Sequence, residues 1–122
     1  MGFDVIGKKA KSEKGEYFRN NVWFWRPLWQ YVCLECEDIL TIKEAESGCF
    51  NDGVKITKSK ALKIAKRLRE KLNDGSVDLH KAVYDGTVEQ VGDKWAKSYP
   101  FETDNVLKFT EFCEESGGFE IW

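Results

Sequence analysis

With 122 residues, 42% of them hydrophobic and 14% aromatic, the chain holds enough apolar material for one ordinary core, and a single globular domain over 1–122 is expected. Its formal net charge of -2 argues against a protein that coats nucleic acid through its overall field. No run approaches the roughly 20 apolar residues of a membrane span, and no apolar signal segment follows Met1, so a soluble cytoplasmic protein without membrane partners is expected.

In chain order, Phe3 to Ile6 reads as a short strand and Lys8 to Lys14 as a polar loop. Gly15 to Trp29 shows neither strand nor helix periodicity, and reads as a connector to a helix started by Pro27, where a missing backbone donor costs nothing. Leu28, Tyr31, Val32, Cys36, Ile39 and Leu40 give that helix its apolar face. Thr41 to Glu44 matches a capping box for a helix of a turn or two closed by Gly48, after which Asn51-Asp52-Gly53 turns the chain.

Thr57 caps the clearest helix, whose stripe is Ala61, Leu62, Ile64, Ala65, Leu68 and Leu72, and Asn73-Asp74-Gly75 ends it. Ser76 to Lys97 predicts a helix with Val77, Leu79, Val83, Val91 and Trp95 inside, broken or kinked by Gly86 and Gly92. Ser98 to Phe101 is an extended connector, and Thr103 begins a last helix with Val106, Leu107, Phe109, Phe112 and Cys113 inward. Gly117 and Gly118 stop it, and Phe119 to Trp122 forms a strand that pairs with Phe3 to Ile6. The expected fold is therefore mainly α (α+β): about four helices packed with a two-stranded sheet of the N- and C-terminal segments.

Charge is unevenly spread. Lys55 to Lys71 carries eight basic residues against the single acid Glu70, while Phe101 to Trp122 carries six acids against Lys108. These read as solvated faces of two helices that attract each other. Lys58, Lys63, Lys66 and Arg67 form a basic surface suited to phosphates or to an acidic protein partner. Cys33 and Cys36 have the spacing of half a zinc ribbon, but no second pair follows, so they read as small core residues and no metal is expected. His80 is the only histidine and reads as structural. No nucleotide-loop, dinucleotide or cofactor pattern is present, so no cofactor is expected.

The main candidate site is Gly15 to Trp29, where three of the five tryptophans and two arginines fall together. Arg19 and Arg26 would fork onto phosphate or carboxylate, Asn20 and Asn21 supply amide donors and acceptors, and Trp23 or Trp25 stacks on a planar ring. The same tryptophans equally suit a small core with arginines laid over them. Asp52 is a candidate carboxylate at a cleft rim, the basis of a third reading as a small enzyme of unknown reaction.

The segments Gly15-Glu16-Tyr17-Phe18-Arg19-Asn20-Asn21-Val22-Trp23, Trp25-Arg26-Pro27-Leu28-Trp29, Asn51-Asp52-Gly53 and Ser116-Gly117-Gly118-Phe119-Glu120-Ile121 together resemble a family of small uncharacterised bacteriophage and prophage proteins. Some members of that family carry a further cysteine pair of zinc-knuckle type before the Tyr-Pro-Phe connector, and this chain has none between Gly75 and Tyr99. The resemblance implies a genetic setting, with the host cytoplasm as location, and no mechanism. The expectation is a non-catalytic binding module for a nucleotide or other phosphate-bearing ligand. The alternative is a host-takeover or anti-defence protein that docks on a host or phage protein through its basic helix or an aromatic patch; nucleic acid is the less favoured partner.

Overall fold

The structure, a computed structural model, describes residues 2–92 and 97–122. Strand β1 (Gly2–Gly7) leads through a 3-10 turn (Glu13–Gly15) to β2 (Tyr17–Asn21), α1 (Val22–Glu35), α2 (Ile42–Ser47), β3 (Val54–Ile56), α3 (Lys58–Asn73), α4 (Ser76–Val91), α5 (Thr103–Glu115) and β4 (Phe119–Ile121). The protein is mainly helical with one small antiparallel sheet, as expected. The expected pairing of the two end segments is present, with Val5 opposite Ile121. Two strands that sequence reading missed complete the sheet, whose order is β2-β1-β4-β3. β2 hides its period of two because one inward position is the polar Asn20, and β3 is only three residues long.

The start of α1 also differs from expectation. Asn21, not Pro27, ends the extended segment: its side chain accepts the Phe24 N–H at 3.1 Å, and the helix begins at Val22. Pro27 therefore sits inside the helix, where it forgoes one backbone bond. Burial of Trp25, Leu28 and Trp29 around it offsets that loss.

The aromatic residues organise the core. Phe3 stacks on Trp25 at 5.5 Å and 18°, and Trp25 on Trp29 at 5.4 Å and 11°, so one stack runs from the sheet along α1. Each indole N–H has a carbonyl at the far side: Trp25 donates to Gly48 at 2.8 Å and Trp29 to Ala45 at 2.9 Å. The two tryptophans thereby take up carbonyls at the C-terminal end of α2, where intrahelical partners run out. Behind them α3 lays Ala61, Ile64, Ala65 and Leu68 against α5, which supplies Val106, Phe109, Phe112 and Cys113. Leu62 of the expected stripe is 42% exposed. The expected attraction between basic and acidic helices is realised at Arg69 and Glu114, 2.6 Å apart.

The capping box at Thr41 and Glu44 and the cap at Thr57 form as expected. α4 meets expectation only in part. It runs through Gly86, and the expected break falls at Gly92 instead, whose φ of 65° is the left-handed conformation glycine favours. Only Val77 of its expected inner residues is buried; Leu79, Val83 and Val91 face solvent, and Trp95 lies outside the described residues. Among the described residues no helix is long and apolar enough to cross a membrane.

Candidate functional site

The structure disperses the constellation built on Gly15 to Trp29. Trp25 is fully buried, so it is core and not a stacking surface. Asn20 is locked in a reciprocal amide pair with Asn105 at 3.0 and 2.8 Å, and Asn21 is spent as the cap of α1. Arg19 lies on β2 with its Nε 3.2 Å from the Asp4 carboxylate. Arg26 belongs to α1, with its guanidinium carbon 6.0 Å from the Tyr99 ring centre. The two arginines therefore do not converge on one pocket, and of the proposed ligand residues only Arg26 and Trp23 keep to one surface.

That surface is the outward stripe of α1. Trp23, Arg26, Gln30 and Leu34 recur at helical spacing on the side opposite the buried face, with Trp23 36% and Leu34 61% exposed. Tyr99 packs beside Trp23 with ring centres 4.8 Å apart. Next to Arg26 lies a hollow of about 270 Å³ lined by Trp25, Arg26, Gln30, Cys49 and Phe50. Phe50, 63% exposed, forms the wall opposite α1, and sequence reading missed it because Asn51-Asp52-Gly53 fully explained the turn. No carboxylate lines the hollow.

Asp52 is exposed beside a different hollow of about 380 Å³, with Thr41, Lys43, Glu44, Ser47, Gly53 and Val54. Burial pushes the Glu44 carboxyl up, but Lys60 at 2.6 Å and the Thr41 N–H outweigh it and hold the group below its ordinary value. Asp52 is thus not paired with a carboxylic acid able to donate a proton near neutrality. Its neighbour Asn51 is structural: the side-chain amide donates to the Gly2 carbonyl at 2.8 Å and to the Trp122 carbonyl, tying β1 to β4.

On α3, Lys58, Lys63 and Lys66 are exposed and make no ion pair among the described residues. Arg67 is a correction to the expected basic surface. It makes two bonds of 2.9 Å to Asp38 and a third to the Glu35 carbonyl, and that hydrogen bonding holds the Asp38 carboxyl down at about 2. The hollow there, about 340 Å³, sets Asp38 and Glu70 among Lys63, Lys66 and Arg67, so a bound anion would meet two carboxylates.

Burial pushes the Cys33 and Cys36 thiols up to about 12, so neither is a ready thiolate, and no metal-holding group of His, Cys, Asp or Glu occurs among the described residues. His80 sits against Tyr31 at 4.5 Å and Phe101 at 4.6 Å, ring centre to ring centre. Burial lowers its pKa from the ordinary 6.5, so the folded state binds this proton less well than the unfolded chain does. Stability is therefore expected to fall as pH drops below about 6.5, and urea titrations should show that this slope shrinks in His80→Phe.

No protein family, curated protein or solved structure matches this chain, so its functional reading rests on the geometry of its own residues.

Proposed function

We propose that the protein is a non-catalytic binding module that docks a protein partner through the α1 stripe and the adjoining Phe50 wall. The observation that carries this reading is the exposed stripe Trp23, Arg26 and Leu34 along α1, with Arg26 and the exposed Phe50 lining one hollow whose lining holds no carboxylate. Tryptophan, tyrosine and arginine dominate the energetics of protein interfaces because they bury large area at modest entropic cost. The family resemblance agrees with it, since small phage and prophage proteins often act by binding a host or phage component.

A phosphate-bearing ligand such as a nucleotide is the second reading, favoured by Arg26 and Phe50 lining the same hollow. Its guanidinium would hold the phosphate while the ring stacks on the base.

Capture of host or phage protein by the immobilised chain is expected to be lost in Arg26→Ala and Phe50→Ala, both with unchanged melting temperature, and retained in Lys63→Glu/Lys66→Glu. The opposite pattern moves the docking surface to α3. A nucleotide that raises the melting temperature of the native chain but not of Arg26→Ala would instead establish the second reading.

A further inference from the structure

The sheet has a second face that no described element covers. Phe3, Val5, Ile56, Phe119 and Ile121 point at the helices and are buried, so the alternate residues point away. The register sets Tyr17, Ile6, Glu120 and Lys55 in one row across all four strands, and Arg19 and Asp4 in the next. Trp122 joins that second row, because its N–H continues β4 by donating to the Asp4 carbonyl at 2.7 Å. Tyr17 is 53%, Trp122 46% and Ile6 42% exposed.

The side chains of this face are pre-positioned. A Cβ placed on Gly53 would stand 2.5, 2.7 and 2.7 Å from Cη2, Cζ2 and Cζ3 of Trp122; distances so nearly equal put it over the ring, so the indole lies flat on the sheet. Its other side meets solvent. Tyr17 is pinned by its hydroxyl, which donates to Asp4. Arg19 spends only Nε on Asp4 and runs on across Gly2, leaving its terminal nitrogens without a partner among the described residues. Both carboxylates of the face are answered from within it, Asp4 by Arg19 and Glu120 by Lys55 at 3.9 Å. At the end of the sheet nearest Tyr17, Lys8 follows β1 and Lys58 follows β3; both are exposed and neither has an ion-pair partner among the described residues.

We propose that this open face binds single-stranded nucleic acid, with bases stacked on Trp122 and Tyr17 and phosphates held by Arg19, Lys8 and Lys58. Two flat rings set among ion pairs suit separate bases, whereas a protein partner would need continuous apolar surface, and here Asp4 and Glu120 set Trp122 apart from Tyr17 and Ile6. Tyr17 and Trp122 stand on β2 and β4, two strand spacings apart and one row out of line, roughly 12 Å from backbone to backbone, so the strand must be splayed rather than stacked at about 3.4 Å per nucleotide. A duplex keeps its base faces inside the stack and cannot use the rings. Since only Arg19 and the lysine rim supply charge, binding is modest and strongly salt-dependent, which accords with a net charge of -2 for the chain.

The test is a fluorescence anisotropy titration of a labelled oligothymidylate at low and at physiological salt. Binding is expected at low salt, weaker at physiological salt, and poorly competed by duplex DNA. Trp122→Leu and Tyr17→Leu, which keep bulk and remove the ring, should each weaken it about tenfold, within the range for one stacked base. Tyr17→Phe keeps the ring and should retain affinity, and Arg19→Ala should lower both affinity and salt slope. Thermal melting of each variant separates lost binding from lost folding. The proposal is overturned if oligothymidylate does not bind at low salt, if duplex binds equally, or if binding survives both leucine variants and disappears in Lys63→Glu/Lys66→Glu. A face that ignores the oligonucleotide while Tyr17→Leu alters self-association overturns it in favour of a protein contact.

Discussion

Replacing Trp25 by alanine is expected to cost about 3–5 kcal/mol of folding stability, the range for truncating a buried aromatic, and to leave the chain marginally folded or unfolded. Its ring is the middle of the Phe3–Trp25–Trp29 stack and meets Phe109 edge-on at 5.8 Å, so truncation opens a void that sheet and helices both border. The change also strips the Gly48 carbonyl of its indole donor. Trp23→Ala, two residues earlier, removes a ring that is 36% exposed and should cost clearly less than Trp25→Ala, because it gives up less buried area and opens no void in the core. Urea denaturation of the two variants checks both expectations. Equal costs would mean that Trp25 is not the core anchor and would reopen it as a stacking surface.

Gly48→Ala should destabilise by about 1–3 kcal/mol although it adds a single methyl group. A Cβ at this position falls inside the Trp29 indole, and that ring cannot retreat, because it is buried and stacked on Trp25. The comparison variant is Gly86→Ala, where a Cβ meets nothing within 4 Å and the backbone is ordinary helix. That substitution should stabilise by about 0.5–1 kcal/mol, the usual gain of alanine over glycine in a helix interior. Thermal or chemical unfolding should therefore move in opposite directions for the same chemical change. If Gly48→Ala were neutral, the close approach of α2 to the tryptophan stack would be refuted.

Much of this architecture is legible in short stretches of sequence. The Thr41 and Thr57 caps, the Gly117-Gly118 stop and the apolar stripes of α3 and α5 are written within a few residues of where they act, because a cap or turn closes on the backbone two to four positions away. The same local logic located the pairing of the end segments, since each strand had one apolar face and no neighbour in sequence. β2 and β3 were not legible: β3 is a strand only because β4 lies beside it, and β2 counts Asn20 among its inward residues only because Asn105, 85 positions later, answers both ends of the amide.

The candidate site divides along the same line. Aromatic and arginine content marked Gly15 to Trp29 as unusual, and nothing local distinguishes Trp23 from Trp25. The distinction comes from Gly48, 23 residues away, whose lack of a side chain admits the indoles and whose carbonyl holds one of them. Arg19 and Arg26 were likewise separated by Asp4 and Tyr99. Residue identity decides what chemistry a segment can offer, because that is a property of its side chains alone. Which of those side chains remain open to a partner is decided by contacts between distant segments, and only the folded chain holds those contacts.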